Sequence, residues 1–512
     1  MDGSVVGITE NASPTTSGPA NVPSKQPTDS RTEATSSNSS IISRTSTEQF
    51  HHVPFNQFSQ QVRELCHQLW SPPENPSRVE RILGARSNFI VGRLRAKDRS
   101  LPSRHALSSK ELLIERLSGG SFNRVIGLTR FPESETPTRL VLRIPRFEYA
   151  RHDHEVAAIR FVRSHTTIPV PEVKFVDYTE NNPLKERYVI QTRISGDDLQ
   201  GETGPCWFPS LNHEQKCTVA KVLAETLLEL HKVTHPFPGH IEASNTNGDC
   251  DTFSVRHFEL NWNDGLALEL DLNTKAPFFQ ARPFKTDWKI DLQGRKPFGE
   301  TTYHFMLAQF GRWNAFNLRQ DPTSIGWFKY YDRLADMAKQ MEELGFLGDD
   351  ENCLCHRDLN ASPRNIMADI NPDKSLSITG ILDWDSLVFA PTFVACVPPM
   401  WLWAWDTEEE EDERKANDIP TTPEQREIKR IFEETIGDWY FQYAYAPEYR
   451  LARDLFKFAH SGMGSDTDMQ HVDRLLDDWK ELYESHTKES NDEAKDGESF
   501  KSSASNAVEH SG

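Results

Sequence analysis

Three polar clusters late in the chain constrain its fold more than any other feature: His356-Arg357-Asp358-Leu359, Asn365-Ile366-Met367, and Ile381-Leu382-Asp383-Trp384-Asp385. A carboxylate, an amide downstream of it and a second carboxylate after an apolar strand form the donor set that metal-assisted phosphoryl transfer requires. One carboxylate orients or deprotonates an attacking hydroxyl. The amide oxygen and the other carboxylate can hold magnesium against phosphate oxygens.

The chain before these clusters changes period as it runs. Phe55, Phe58, Val62, Leu65 and Leu69 recur at helical spacing, so a helix should open the ordered region. Strands are expected at Leu112 to Ile114, Val125 to Leu128, Arg139 to Ile144 and Tyr188 to Gln191, with a helix around Glu155 to Val162. Helices then dominate, at Ala220 to His231, Trp327 to Leu344, 424–436 and 468–483. Ile378 to Leu382 is a short apolar strand. Strands first and helices afterwards indicate an α+β chain with two lobes.

Composition sets the limits of the ordered part. The hydrophobic fraction of the 512 residues is 37%, below the usual 45–50% or so. The deficit is explained by polar tails around a normal core. Residues 1–49 are rich in Ser and Thr without an aromatic, and residues 484–512 are polar and charged, so both are expected to be disordered. Between them we expect a helical extension at 50–110, an N-lobe at 111–195 and a helical C-lobe at 196–483. The C-lobe should carry an irregular insertion at 240–326 and a catalytic loop at 356–385. With 57 Lys+Arg against 77 Asp+Glu the net charge is -20. Such a balance opposes broad nucleic-acid binding and a polybasic membrane patch.

Seven scattered cysteines without a CxxC pair fit a reduced protein rather than a disulfide framework. Only Cys353, Cys355 and His356 crowd together, which is short of a structural zinc site. Met1-Asp2-Gly3-Ser4 begins no secretory signal, so a cytoplasmic location is expected. Leu387 to Trp405 is uncharged, but Pro391, Pro398 and Pro399 oppose a membrane-spanning helix. Buried core is the expectation there, and Trp401, Trp403 and Trp405 should belong to it.

The three clusters resemble the catalytic half of the protein-kinase-like superfamily, and more narrowly the aminoglycoside phosphotransferase and choline kinase type of small-molecule kinase, in its fungal branch. The upstream half is similar in the same order over roughly residues 111–405. The resemblance implies a two-lobed kinase-like fold that uses ATP and Mg2+ to phosphorylate a hydroxyl of a small molecule. It places a nucleotide loop at Gly119, Gly120 and Ser121, a phosphate-binding cation at Arg143 and its carboxylate partner at Glu155. It also places an adenine-binding hinge at Gln191, Thr192 and Ile194, the base at Asp358, and metal ligands at Asn365 and Asp383.

The chain departs from the family in three places. Asn365 follows Asp358 by seven residues where the family has five, so either the loop is expanded around Ser362-Pro363 or Asn360 shares the role. Arg143 stands where many kinases have lysine. Asp383-Trp384-Asp385 replaces the Asp-Phe-Gly of protein kinases, and no Ala-Pro-Glu follows. The alternatives to a small-molecule kinase are a nucleotide-binding pseudokinase scaffold and a protein kinase. His356 is expected to brace the catalytic loop, and Asp385 to be a supporting acid or a helix cap. Glu408 to Glu413 is expected to be a solvated loop, or else an attraction for a cationic acceptor.

Overall fold

A computed structural model describes residues 52–70, 111–117, 122–131, 136–146, 152–201, 204–236, 238–243, 253–257, 301–320, 325–348, 352–404 and 413–508. The described residues from 56 onward form one compact unit, and the description below concerns that unit.

The first helix, α1 (Phe55–Trp70), buries Phe58, Val62, Leu65 and Cys66, one stripe at helical spacing. A five-stranded antiparallel sheet follows, built from β1 (Leu112–Arg116), β2 (Asn123–Arg130), β3 (Thr138–Pro145), β4 (Val173–Asp177) and β5 (Tyr188–Thr192) in the order β1-β2-β3-β5-β4. The helix α2 (His152–His165) lies between β3 and β4 in sequence.

Register decides which face of this sheet does what. Ile126 pairs with Leu142 and Leu128 with Leu140, and all four are buried. Arg124 shares their face, and its guanidinium sits 3.6 Å from the centre of the Phe58 ring. The helix α1 therefore covers the even-numbered face. Arg143 and Val141 point the other way, toward α2. Val141 pairs with Gln191, so Gln191 shares the face of Arg143. The strand β4 was missed in the sequence because all five of its residues are only half-buried.

The chain enters the helical lobe through β6 (Asp197–Asp198), which pairs with Ala368 and Met367. Gly196 precedes it at φ +90°, where a Cβ would lie 2.1 Å from the Ala368 carbonyl oxygen. No side chain fits this crossing. A capping box between Asn212 and Gln215 starts α3 (His213–His231). Then come β7 (Thr234–His235), β8 (Gly239–Ala243), β9 (Phe253–His257), α4 (Thr302–Gln320), α5 (Ile325–Glu343) and β10 (Asn352–His356).

The remaining strands are β11 (Ile366–Ile370), β12 (Leu376–Ile381) and β13 (Leu387–Ala390). The remaining helices are α6 (Thr392–Ala395), α7 (Pro423–Ile436), α8 (Asp438–Tyr445), α9 (Pro447–Ser461) and α10 (Asp466–Val508). One sheet of this lobe runs β7-β10-β13-β8-β9 and a smaller one β12-β11-β6. Two apolar cores result. One joins α2, α3 and α7 to the sheets, and the other joins α4, α5, α9 and the start of α10.

Several expectations need correction. The stretch 240–326 is not irregular throughout: it contains β9, most of β8, and α4, and the strands hold because β8 adds to β13. The helices α8 and α9 were not expected. The helix α8 is short and mostly aromatic, which leaves little periodic signal, whereas α9 carries a marked apolar stripe that the sequence reading passed over. The last helix runs from Asp466 to Val508. Leu387 to Ala404 is buried for most of its length, including Trp401 and Trp403, whereas Trp405 lies outside the described residues. Among the described residues no helix is long and apolar enough to cross a membrane.

Candidate active site

The strand β10 is buried along its whole length and delivers Asp358 two residues past its end. A single 3-10 turn, Pro363–Asn365, takes up the longer loop and leads into β11. The Leu382 N–H donates to the Asn365 carbonyl at 2.9 Å, which sets the loop beside the end of β12. Asp383 then adopts a left-handed conformation, φ 64° and ψ 55°. Aspartate tolerates this region better than most residues, and the turn swings its carboxylate out of the strand direction.

His356 and Trp384 hold the turn in place. The His356 Nε2–H donates to the Leu382 carbonyl at 3.0 Å, and its ring meets Trp384 edge-on with centroids 4.8 Å apart. The Trp384 Nε1–H donates to Ile381 at 2.9 Å. Burial pushes the His356 pKa down, so the ring is a neutral structural donor at pH 7.

Three carboxylates converge at this point. One oxygen from each of Asp358, Asp383 and Asp385 lies within 4.8 Å of the other two. Desolvation in the cleft, then the Asp383 and Glu155 carboxylates, push the Asp385 pKa up to about 8, against the pull of Arg143. Asp385 is the exposed member of the three, while Asp358 and Asp383 are half-buried. Asp385 caps no helix: Asp383 occupies the N-cap position of the short Trp384–Ser386 turn.

Facing the acids across the cleft, Arg143 pairs with Glu155 of α2 and reaches 3.6 Å from Asp383. Both partners of the first pair are nearly buried. Burial raises the Glu155 pKa and the Arg143 charge opposes that rise. A guanidinium between two carboxylates from different lobes is a fixed positive centre aimed at the place where the acids meet.

Gly119, Gly120 and Ser121 lie outside the described residues. The base of their loop is closed by the Leu117 N–H to Val125 carbonyl bond at 3.3 Å and the Arg146 N–H to Phe122 carbonyl bond at 2.8 Å. Gln191 is buried on the Arg143 face, and its Oε1 has no hydrogen-bond partner among the described residues. The Thr192 hydroxyl is engaged locally, accepting the Glu172 N–H at 2.8 Å. Ile194 packs against Gly380, where a Cβ would come within 2.8 Å of its Cγ2.

The two asparagines differ. Asn360 donates from Nδ2 to the Ala395 carbonyl at 3.3 Å, tying it to α6. The Asn365 amide is buried, and its Nδ2 lacks a hydrogen-bond partner among the described residues. Turned end for end, the same amide offers an oxygen there.

Sequence reading missed one residue. Arg364 stands 3.6 Å from Asp358, placed there by the expanded loop. Its position directly before Asn365 was the available signal. Asp385, expected as a supporting acid or a helix cap, completes the acid cluster. Of the acidic run, Glu408 to Asp412 lie outside the described residues, and Glu413 is half-buried. It receives Arg453 Nε at 2.9 Å and Nη2 at 2.7 Å, while buried Arg453 also donates to the Phe393, Cys396 and Ala444 carbonyls. The pair is structural because Arg453 needs a counter-charge.

A sequence profile described as the phosphotransferase enzyme family matches residues 114–417. A subtelomeric hrmA-associated cluster protein of Aspergillus fumigatus is 31% identical over 86 residues, and the match covers 17% of this chain and 17% of that protein. Among solved structures, a thermostable mutant of aminoglycoside phosphotransferase APH(4)-Ia is similar with a TM-score of 0.37 and 14% identity, covering 73% of this chain and 95% of that one. The macrolide 2'-phosphotransferase MphH of Brachybacterium faecium is similar with a TM-score of 0.31 and 14% identity, covering 75% and 96%.

Proposed function

The chain belongs to the phosphotransferase enzyme family, and from that premise we propose that it transfers the γ-phosphoryl group of ATP to a hydroxyl of a small molecule, with Mg2+ bound. The observation that carries this reading is the convergence of Asp358, Asp383 and Asp385 within 4.8 Å, opposite an arginine 3.6 Å from Asp383.

The donor set fits magnesium. It consists of carboxylate and amide oxygens, without thiolate or imidazole at the same point. Desolvation, and after it the neighbouring carboxylates, lift the Asp385 pKa, and a cation would relieve the negative charge gathered there. Asp383 and Asn365 would hold the ion, with Asp385 beside them. When bound, magnesium would neutralise charge on the phosphate oxygens.

The chain's own groups would do the rest by positioning. The Asp358 carboxylate would orient the acceptor hydroxyl and accept its proton. Arg143, held by Glu155, would contact the nucleotide phosphates, and the backbone of Gln191 to Ile194 would receive adenine. The reaction needs no covalent phosphoenzyme, because positioning with charge neutralisation is sufficient for this chemistry. Arg364 would fix the free position of the Asp358 carboxylate.

The test is the thermal shift of the full chain with ATP, with and without magnesium, beside Asp383→Asn. Ligand that binds the native state alone raises the melting temperature by mass action. A magnesium-dependent rise that disappears in the variant is expected. The absence of any rise at millimolar ATP would remove the catalytic reading.

A further inference from the structure

The hairpin β8–β9 grips the helix that carries Glu155. Arg256 of β9 lies with Nε 2.8 Å from the Glu242 carboxylate of β8. Its Nη2–H donates to His154 Nε2 at 3.2 Å, and the same nitrogen is 3.3 Å from Glu242. His154 also stacks on His240, with ring centres 5.7 Å apart and planes 11° from parallel. His154 is the residue directly before Glu155.

The grip extends along the helix. His154, Phe161 and His165 are spaced i, i+7 and i+11, so they share one face of α2. Phe253 of β9 meets the Phe161 ring edge-on at 5.3 Å and the His165 ring at 6.1 Å. The hairpin therefore touches α2 at its first turn and at its last. Glu155, Ile159 and Val162 lie on a different face, toward the sheet and Arg143.

The other side of the hairpin is anchored near the acids. Val388 of β13 pairs with His240, and Phe389 with Gly239. The strand β13 follows directly on the Asp383-Trp384-Asp385 turn and pairs with β10, which leads to Asp358. A helix of the first lobe is thus joined to the sheet that carries the acids of the second. The joint belongs to the stretch 240–326, outside the motifs that mark the site.

We propose that the β8–β9 hairpin holds α2 so that Glu155 keeps Arg143 aimed at the acid cluster, with Glu242 and Arg256 as positioning residues for nucleotide binding. Glu242 and Arg256 touch no reacting group in this account. They act through His154, whose displacement must move Glu155. The nucleotide half of this inference rests on the function proposed above, and the mechanical half does not.

The experiment compares wild type, Glu242→Ala, Arg256→Ala and Glu242→Asp. It measures amide hydrogen exchange in ligand-free protein and affinity for a fluorescent ATP analogue with magnesium. Exchange over 152–165 should quicken about tenfold or more in the two alanine variants and little in Glu242→Asp, while 466–483 stays unchanged. Affinity should fall several-fold in the alanine variants, with no further loss when Glu242→Ala is combined with Glu155→Gln, because both break one chain of contacts. Equal exchange and affinity in all variants would overturn the inference. A general rise in exchange across the whole chain would overturn it too, since that is mere destabilisation. A wild type that binds no nucleotide, with exchange still quickened over 152–165 in the variants, would sink the functional reading and keep the mechanical one.

Discussion

Arg143 Nη2 stands 3.6 Å from Asp383 Oδ1, while the same guanidinium pairs with Glu155. One cation therefore bridges a helix of the first lobe and a turn of the second. Its burial makes the arrangement expensive to break. An isolated surface pair contributes little, but a buried charge deprived of its partner is strongly destabilising.

That asymmetry gives a first prediction. Arg143→Met should destabilise the protein by about 3–5 kcal/mol, because Glu155 is left buried without a counter-charge. The double variant Arg143→Met/Glu155→Leu should recover most of this loss while binding no nucleotide. Urea unfolding midpoints of the three proteins decide it. A double variant no more stable than the single would mean that the pair contributes by shape and not by charge.

Asp358→Asn separates an enzyme from a scaffold. The substitution keeps size and removes the proton acceptor, so turnover should fall about 10²–10⁴-fold. Affinity for magnesium–ATP should stay within about twofold, since Asp358 is not among the proposed metal ligands. Phosphate release and nucleotide titration on the same sample give both values. An unchanged turnover would remove Asp358 from the role of base.

The site was legible in sequence where one local segment carries several of its parts. Asp358, Asn365 and Asp383 stand in one stretch with an apolar strand between them, so the return of the chain could be read. The strands β2 and β3 were legible by their alternation. Tertiary partners were not. Glu413 finds Arg453 forty residues away, and nothing local distinguishes it from the acidic residues before it. Arg364 became relevant only because the expanded loop closes as a turn at Pro363. The hairpin β8–β9 was hidden because five-residue strands have little signal of their own and depend on pairing with β13.

Two glycines with similar backbones test how far close contact governs the crossing between lobes. Gly196 and Gly345 both have positive φ, +90° and +83°. A Cβ on Gly196 would meet the Ala368 carbonyl at 2.1 Å, whereas on Gly345 it would meet nothing within 4 Å. Gly345→Ala should cost about 1 kcal/mol, the ordinary penalty for this conformation. Gly196→Ala should cost at least about 2 kcal/mol more, through the shift forced on β11. Equal losses would show that β6 and β11 part without cost.

Acid should weaken the fold through buried histidines. Burial holds His231 down to about 4. Burial also holds His240 and His460 well below the usual value, and nearby positive charge adds to it: Arg357 for both, and His154, His460 and Arg256 as well for His240. Each folded-state pKa is depressed, so the stability these rings contribute is complete above the unfolded value near 6.5. Below it the unfolded chain binds protons that the folded chain refuses. Stability then falls with pH by about 1.4 kcal/mol per unit for each ring, down to about pH 4 for His231. Melting temperatures should thus be level between pH 7 and 8 and drop steeply from 6.5 to 5.5, and His231→Gln should lessen the slope by about one proton. A level profile down to pH 5 would mean that the folded protein admits charge at these rings. The packing around Tyr440, which stacks on His231 at 6.1 Å, would then have to open locally to let water reach the ring.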